Sequence, residues 1–349
     1  MASIVSVGTA VPPYLMRQDE AKRLAGEHFA GRIADLGRYL AVFDNALVDQ
    51  RYFTVEPEWF GAPHSLEDKN GLYLDRATEL SIAAIENCLE SSGVGVGEID
   101  HFVFVSSSGI ATPSLDVAVI NALGLSPAVR RLPLFGLGCA GGAAGVALAR
   151  SLLAGASDAT VLLVAVELNS LTFQPDDFST SNLVAASLFG DGAAAVVLRG
   201  AGRGPVDVLK SATLLSPRTD RLMGWQFVDT GFRVVFSRRV PEAIAEMMPE
   251  AVGRALDGSG VAAADVASLV FHPGGKRILE AYERVLGRTR QDFRASYDVL
   301  SRYGNMSSVT ILFVLDDEMR NGRRRSGDHG LLAAFGPGFS AEVSLLRWA

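Results

Sequence analysis

Residues 132–149 read Leu-Pro-Leu-Phe-Gly-Leu-Gly-Cys-Ala-Gly-Gly-Ala-Ala-Gly-Val-Ala-Leu-Ala, eighteen positions without a charge between Arg131 and Arg150. The stretch holds Pro133 and five glycines but few large aliphatics. A membrane-spanning helix needs a sustained run of large apolar residues, so a strand followed by a helix of small residues fits better. Cys139 falls where the strand hands over to the helix. A helix N-terminus leaves backbone N–H groups unpaired and carries partial positive charge, which favours a thiolate. The flanking glycines let a substrate approach the sulfur closely. The alternative is a buried inert thiol, the usual state of a free cysteine.

The same alternation extends in both directions. Residues 1–11 and 101–106 read as strands, and apolar positions at helical spacing (Leu72, Ala77, Leu80, Ala84, Cys88, Leu89) predict a helix stopped by Gly93. Cys88 is one apolar residue of that face and reads as structural. Residues 159–166 and 193–198 predict a buried strand pair around Gly190-Asp191-Gly192. The second half repeats the plan: a strand over 266–271, a helix after Gly275, a helix over 306–320, and strands over 331–335 and 341–346 split by Gly336-Pro337-Gly338. Buried strands alternating with helices predict an α/β sheet covered on both faces. Element order divides the chain into two copies of a βαβαβ unit near 200–204, giving halves 1–202 and 203–349.

His272 follows a predicted buried strand and precedes Pro273-Gly274-Gly275, at the carboxyl end of the sheet where α/β folds place their sites. Asn305 stands between Gly304 and a helix, so it reads either as an N-cap or as a side-chain donor. Together with Cys139 these residues make a Cys/His/Asn set on glycine-lined strand-to-helix junctions. His28, His64, His101 and His329 stand in segments with no other catalytic feature and read as structural or surface residues. No Cys/His cluster has metal-ligand spacing, and neither a Walker A loop nor a GxGxxG opening a helix after the first strand is present.

Over 349 residues the net charge is −7, with 48% hydrophobic and 20% charged residues. That length suits two domains or one duplicated domain, and the balance disfavours general nucleic-acid binding. The basic run Arg323, Arg324 and Arg325 reads as a solvated loop. Two cysteines make no disulfide framework, and residues 1–11 lack a basic segment ahead of an apolar run. Both features predict a cytoplasmic protein.

Five motifs appear in order: Gly138-Cys139-Ala140-Gly141-Gly142, Leu188-Phe189-Gly190-Asp191-Gly192-Ala193-Ala194, Phe271-His272-Pro273-Gly274-Gly275, Gly304-Asn305-Met306-Ser307-Ser308 and Gly336-Pro337-Gly338. Over nearly the whole chain the sequence resembles the type III polyketide synthases, the chalcone synthase-like family, in its shorter bacterial form. The resemblance implies a homodimer of thiolase-fold subunits, an α/β fold of two duplicated halves in a five-layered αβαβα core. It implies that Cys139 takes an acyl group from coenzyme A, that His272 favours the thiolate, and that His272 and Asn305 hold malonyl-CoA during decarboxylation. No cofactor beyond the coenzyme A thioester substrates is implied, nor any nucleic-acid or membrane partner. Iterative extension and closure to a pyrone, resorcinol or related phenolic would follow.

By the same resemblance Phe189 is a gatekeeper, Gly274 and Gly275 let the pantetheine arm pass, and Gly336-Pro337 shapes the cavity. Thr172 and Ser307 join the substrate-binding set, and Thr112 approaches the partner's cavity from an interface near 106–113. Val234 stands where plant members carry a second gatekeeper phenylalanine, which points to medium or long alkyl starters. Residues 44–50, where the family often places cations for the coenzyme A phosphates, are acidic, with Arg51 the nearest cation. Three other readings use the same residues: a ketoacyl-carrier-protein synthase of the priming type, a cysteine protease, and a non-catalytic acyl-binding protein on a thiolase scaffold.

Overall fold

The computed structural model describes residues 1–322 and 324–349, so Arg323 of the basic run lies outside the described residues. In the first half the elements are β1 (Ala2–Ala10), β2 (Tyr14–Arg17), α1 (Gln18–Phe29), α2 (Leu36–Asp44), β3 (Gln50–Phe53) and α3 (Leu66–Ser92). There follow β4 (His101–Val105), α4 (Asp116–Leu123), β5 (Arg130–Leu134), α5 (Gly141–Gly155), β6 (Val161–Leu168), α6 (Thr180–Leu188) and β7 (Asp191–Gly200). The second half has β8 (Val206–Leu215), β9 (Met223–Val228), β10 (Gly231–Phe236), α7 (Val240–Leu256), β11 (Val266–Phe271), α8 (Lys276–Leu286), α9 (Arg294–Tyr303), α10 (Thr310–Asn321), β12 (His329–Gly336) and β13 (Ser340–Trp348).

Nine strands join in the order β11-β12-β13-β8-β1-β7-β6-β4-β5. The order is the duplication made visible. In the first half β4 runs parallel to β6, which pairs antiparallel with β7, which pairs antiparallel with β1. In the second half β11, β12, β13 and β8 repeat those relations in the same sequence. The halves meet where Ala2–Ile4 pairs antiparallel with Val206–Val208. Among the described residues the edge strand β5 has no counterpart beyond β11, so the copies are not equal in strand number.

Strand periodicity explains the layers. Phe102 and Phe104 point to one face, against Tyr73, Ala77, Ala84 and Ile85 of α3. Val103 and Val105 point to the other, into a central layer with Ala143, Val146 and Leu153 of α5 and Ile311 and Leu312 of α10. Across that layer Leu332 and Ala334 of β12 face inward, while Leu331, Ala333 and Phe335 face Ile244 and Met248 of α7 and Leu279 and Tyr282 of α8. The result is five layers, α-β-α-β-α, and strands buried on both faces read as unbroken apolar runs.

The small residues of α5 follow from its place at the centre. A Cβ on Gly142 would stand 2.3 Å from the Ser308 carbonyl oxygen, and one on Gly145 would stand 2.4 Å from a Leu163 methyl. Gly138–Gly155 is long and apolar enough to cross a membrane by composition, yet it packs between the two sheet halves. Only the β5 end of 132–149 is surface: Phe135 is 56% exposed and Gly136 is exposed beside it.

Candidate active site

Cys139 occupies a single 3-10 turn, Gly138–Ala140, directly before α5. Gly138 has φ +47, and a Cβ there would meet the Pro337 ring at 2.7 Å. A Cβ on Gly336 would meet the Ala140 side chain at 2.6 Å. The Gly336-Pro337 turn therefore packs directly against the nucleophile turn. The Cys139 Sγ lies 3.7 Å from the Ser307 Oγ. Ser307 carries φ +51, uncommon for a residue with a Cβ, so its hydroxyl is held there at a conformational cost.

His272 extends β11, its N–H donating to the Ala333 carbonyl at 2.9 Å. Its own carbonyl accepts from the Tyr282 hydroxyl at 3.2 Å and from the Gly274 N–H at 3.0 Å. The ring is buried, and neither Nδ1 nor Nε2 has a hydrogen-bond partner among the described residues. A Cβ on Gly274 would stand 3.6 Å from Nε2, so the glycine lies against the ring.

Asn305 is clamped by backbone: its N–H donates to the Leu188 carbonyl at 2.7 Å, and its carbonyl accepts from the Gly190 N–H at 3.1 Å. This bridge ties Asn305 to Phe189. Oδ1 accepts from the Ser307 N–H at 2.8 Å, while Nδ2 makes only a long 3.4 Å contact with the Gly274 carbonyl. Thus Asn305 caps the turn that opens α10 and keeps its amide donor almost free.

Burial pushes the Cys139 thiol up to about 11, with the Glu167 carboxylate adding to the rise and contacts to Ser307 and Asn305 opposing it. Burial also pushes His272 down to about 3. Each charged form loses more hydration than its surroundings return. Burial thus disfavours the charged form of each side chain in the substrate-free site.

Two cavities flank the set. The first, about 410 Å³, is lined by Phe189, Thr172 and Val234 together with Phe53, Phe60 and Phe173. His28, expected to be structural, also lines it, with Nε2 2.7 Å from the Pro175 carbonyl oxygen. The second, about 580 Å³, is lined by Gly274, Gly275 and Leu188 and reaches Arg238, Lys276 and Arg277. Cys139, His272 and Asn305 line neither cavity; Phe189 on one side and Gly274 on the other adjoin the set. Thr112 is exposed in the loop after β4 and belongs to neither cavity.

Three residues near the site were not found from sequence. Glu167, at the end of β6, is fully buried, accepting from the Ser308 hydroxyl at 2.6 Å and the Ser107 N–H at 3.0 Å. Burial pushes its carboxyl up to about 7. Its one signal was an acid in an otherwise apolar strand. Asp191 accepts from the Ser170 N–H and the Thr54 N–H, each at 2.8 Å, which fixes the Asn169–Thr172 turn beside the first cavity. Trp225 of β9 lies opposite Val234 of β10 and sets its ring edge-on to Phe189 at 6.0 Å. The aromatic missing at position 234 is in part supplied from the neighbouring strand.

Comparisons with known proteins agree over the whole chain. The family model for chalcone and stilbene synthases, N-terminal domain, matches residues 1–203, and that for the C-terminal domain matches 207–348. A putative chalcone synthase of Bacillus subtilis (strain 168) is 38% identical, covering 100% of this chain and 99% of the relative. The solved structure of 1,3,6,8-tetrahydroxynaphthalene synthase from Streptomyces coelicolor A3(2) superposes with a TM-score of 0.95 at 31% identity, covering 99% of both chains. CsyB complexed with CoA-SH gives a TM-score of 0.90 at 26% identity over 100% of both chains. A priming-type ketoacyl synthase is not favoured by these matches. The chain belongs to the chalcone and stilbene synthase family and is a type III polyketide synthase, an acyltransferase of thiolase fold.

Proposed function

We propose that Cys139 is the acylated residue and that His272 and Asn305 are the donors that drive decarboxylation, with acyl-CoA and malonyl-CoA as substrates. The observation that carries this reading is the unspent hydrogen-bonding capacity of His272 and Asn305. Both ring nitrogens of His272 and the Nδ2 of Asn305 are buried with little or nothing to bind among the described residues. Buried polar groups are otherwise nearly always paired, so unspent donors are suited to an incoming oxygen.

The chemistry then runs in balance. A starter thioester enters, His272 takes the Cys139 proton, and the thiolate attacks the acyl carbon. The sulfur–carbon bond to coenzyme A breaks, and the departing thiolate regains the proton from the imidazolium. Malonyl-CoA next loses carbon dioxide, and the electron pair left behind forms an enolate whose oxygen accepts from His272 and Asn305. The enolate carbon attacks the Cys139 thioester, forming a carbon–carbon bond and releasing the Cys139 thiolate. Repetition lengthens the chain before cyclisation to a pyrone, resorcinol or related phenolic. These steps call for no cofactor beyond the thioesters themselves.

Medium or long alkyl starters are the substrate class, supported by the aromatic and aliphatic lining of the first cavity and by Val234 in its wall. A homodimer is supported by the exposed edge at β5, where Phe135 and Ile110 are large apolar residues at the surface. Thr112, in the same exposed loop, would then reach the partner. The chain divides into functional halves at 202/203, and a cytoplasmic location accords with its two free thiols. The test is intact-mass analysis after incubation with hexanoyl-CoA. One acyl adduct is expected on the native protein and none on Cys139→Ala; an adduct that survives in the variant would refute the assignment.

A further inference from the structure

The β9–β10 hairpin stands outside the nine-stranded sheet as a two-stranded sheet of its own. It nevertheless supplies part of the first cavity's wall through Val234, and Trp225 opposite Val234 reaches the Phe189 ring at 6.0 Å. A lone hairpin is marginal in water, so the place of this wall depends on what holds the hairpin.

The hold is at its tip. Lys69, near the start of α3, is only 5% exposed. Its ammonium donates to the Thr230 carbonyl and to the Phe173 carbonyl, each at 3.0 Å. Burial lowers the Lys69 pKa, and no carboxylate opposes that shift. Two backbone oxygens are therefore what offsets the burial of this charge, and hydrogen bonds from a charged donor are the strong kind. Gln174 completes the clamp. Its Oε1 accepts from the Thr230 hydroxyl at 2.6 Å, and its Nε2 donates to the Phe232 carbonyl at 3.1 Å. Gly231, with φ +118, lies over both residues: a Cβ there would stand 3.6 Å from the Gln174 Nε2 and 3.9 Å from the Lys69 Cδ. Phe173, the second acceptor, also lines the first cavity beside Thr172. One ammonium thus ties two parts of the same cavity wall together, the turn ending at Phe173 and the hairpin.

We infer that Lys69, with Gln174, is a positioning residue for starter chain length, setting the width of the first cavity by holding the hairpin to the turn at Phe173. This rests on the reading that alkyl starters lie in the first cavity. Neither Lys69 nor Gln174 lines that cavity, so both act through Val234, Trp225 and Phe173 rather than by touching an acyl chain. Cys139, His272 and Asn305 stand on other elements, and their chemistry does not run through the clamp.

Two readouts separate the clamp from the substrate reading. Lys69→Met keeps the stem and removes the donor. Hydrogen exchange read by mass spectrometry should speed up across 223–236 by roughly tenfold or more, the scale of a lost hydrogen bond to a charged group. Exchange across 139–155 and 266–271 should stay native. The ratio of kcat/KM for decanoyl-CoA to that for acetyl-CoA should fall roughly tenfold, the equivalent of about two poorly covered methylenes. Malonyl-CoA decarboxylation should hold. Thr230→Val, on an exposed residue, removes only the hydroxyl contact to Gln174 and should move both readouts the same way by less. In Lys69→Met/Val234→Phe the loss of decanoyl preference should fall short of the product of the single losses, because both changes act on one wall. Unchanged exchange across 223–236 in both single variants overturns the clamp. An unchanged starter ratio, equal loss with both starters, or single losses that multiply overturns its role in chain length. Native protein with no preference between the two starters refutes the alkyl-starter reading itself, while the exchange result still decides whether Lys69 holds the hairpin.

Discussion

The Oδ1 of Asn305 accepts a hydrogen bond from the backbone N–H of Ser307 at 2.8 Å. One side chain thereby does two jobs: its oxygen caps the turn entering α10, and its amide nitrogen is left for a ligand. An N-cap and an oxyanion donor are compatible readings of the same residue, because they use different atoms.

The two roles separate by substitution. Asn305→Asp keeps an oxygen for the Ser307 N–H and removes the donor. It should fold with nearly native stability and lose malonyl-CoA decarboxylation by roughly 10²-fold or more. Asn305→Ala should lose decarboxylation to the same degree and also about 1 kcal/mol of stability with the cap. Both should still load a starter on Cys139. Release of radiolabelled carbon dioxide from malonyl-CoA is the measurement, and native rates in the aspartate variant would leave Asn305 as a cap alone.

Alkylation of Cys139 by iodoacetamide reads the charge state of the resting site. With the thiol pushed up to about 11 and His272 pushed down to about 3, thiolate accumulates only as pH approaches the higher value. The rate should climb about tenfold per pH unit from 6 to 9 without a plateau, since the thiolate is the nucleophile. His272→Gln should leave that profile in place for the substrate-free enzyme. A plateau below pH 7 that disappears in His272→Gln would mean that a thiolate–imidazolium pair stands before substrate arrives.

Glu167 should make the protein less stable as pH rises through neutrality. Its folded value lies near 7, above the ordinary carboxyl range, and burial is the chief cause. A raised carboxyl pKa means that the folded state favours the protonated form. Stability from this group is full below about pH 4.5 and falls as pH climbs through about 7. Glu167→Gln removes the charge and can retain the contacts to Ser107 and Ser308. Its melting temperature relative to the native protein should rise from pH 5 to pH 8, for a gain of order 1–3 kcal/mol. A difference independent of pH would show that Glu167 is already ionised without penalty.

Much of this architecture is local in origin and so readable from the sequence. Strands such as 161–166 are apolar throughout because helices cover both faces, and the glycines of α5 mark a helix pressed between two sheets. The catalytic candidates were visible because each stands beside glycines, Cys139 and His272 after strands; Asn305, expected at a strand-to-helix junction, instead lies between α9 and α10. What escaped depends on long-range register or on contacts across the chain. The pairing of Trp225 with Val234 exists only once β9 and β10 are aligned, and nothing near position 225 announces it. Arg51 sits in the polar string Asp49-Gln50-Arg51-Tyr52, and its burial comes from Gly190 and Gly304 folding over it. The role of Pro337 against Gly138 likewise joins residues about 200 positions apart, beyond any local pattern.

Val234 gives the sharpest test of substrate size. It lines the first cavity with Phe189 and Thr172, on a strand whose partner Trp225 already places one ring against Phe189. A phenylalanine at 234 would add a second ring to that wall and take volume from the apolar side of the cavity. Each methylene of an acyl chain that finds apolar cover contributes about 0.8 kcal/mol, roughly fourfold in affinity. Val234→Phe should therefore lower kcat/KM for decanoyl-CoA by roughly tenfold or more, the equivalent of about two displaced methylenes. Acetyl-CoA, too short to reach the added ring, should change little. Competition between the two starters, with products counted by mass spectrometry, measures the shift directly. If Val234→Phe leaves the chain-length preference intact, the acyl chain does not run past β10, and the alkyl-starter reading loses its support in the cavity wall.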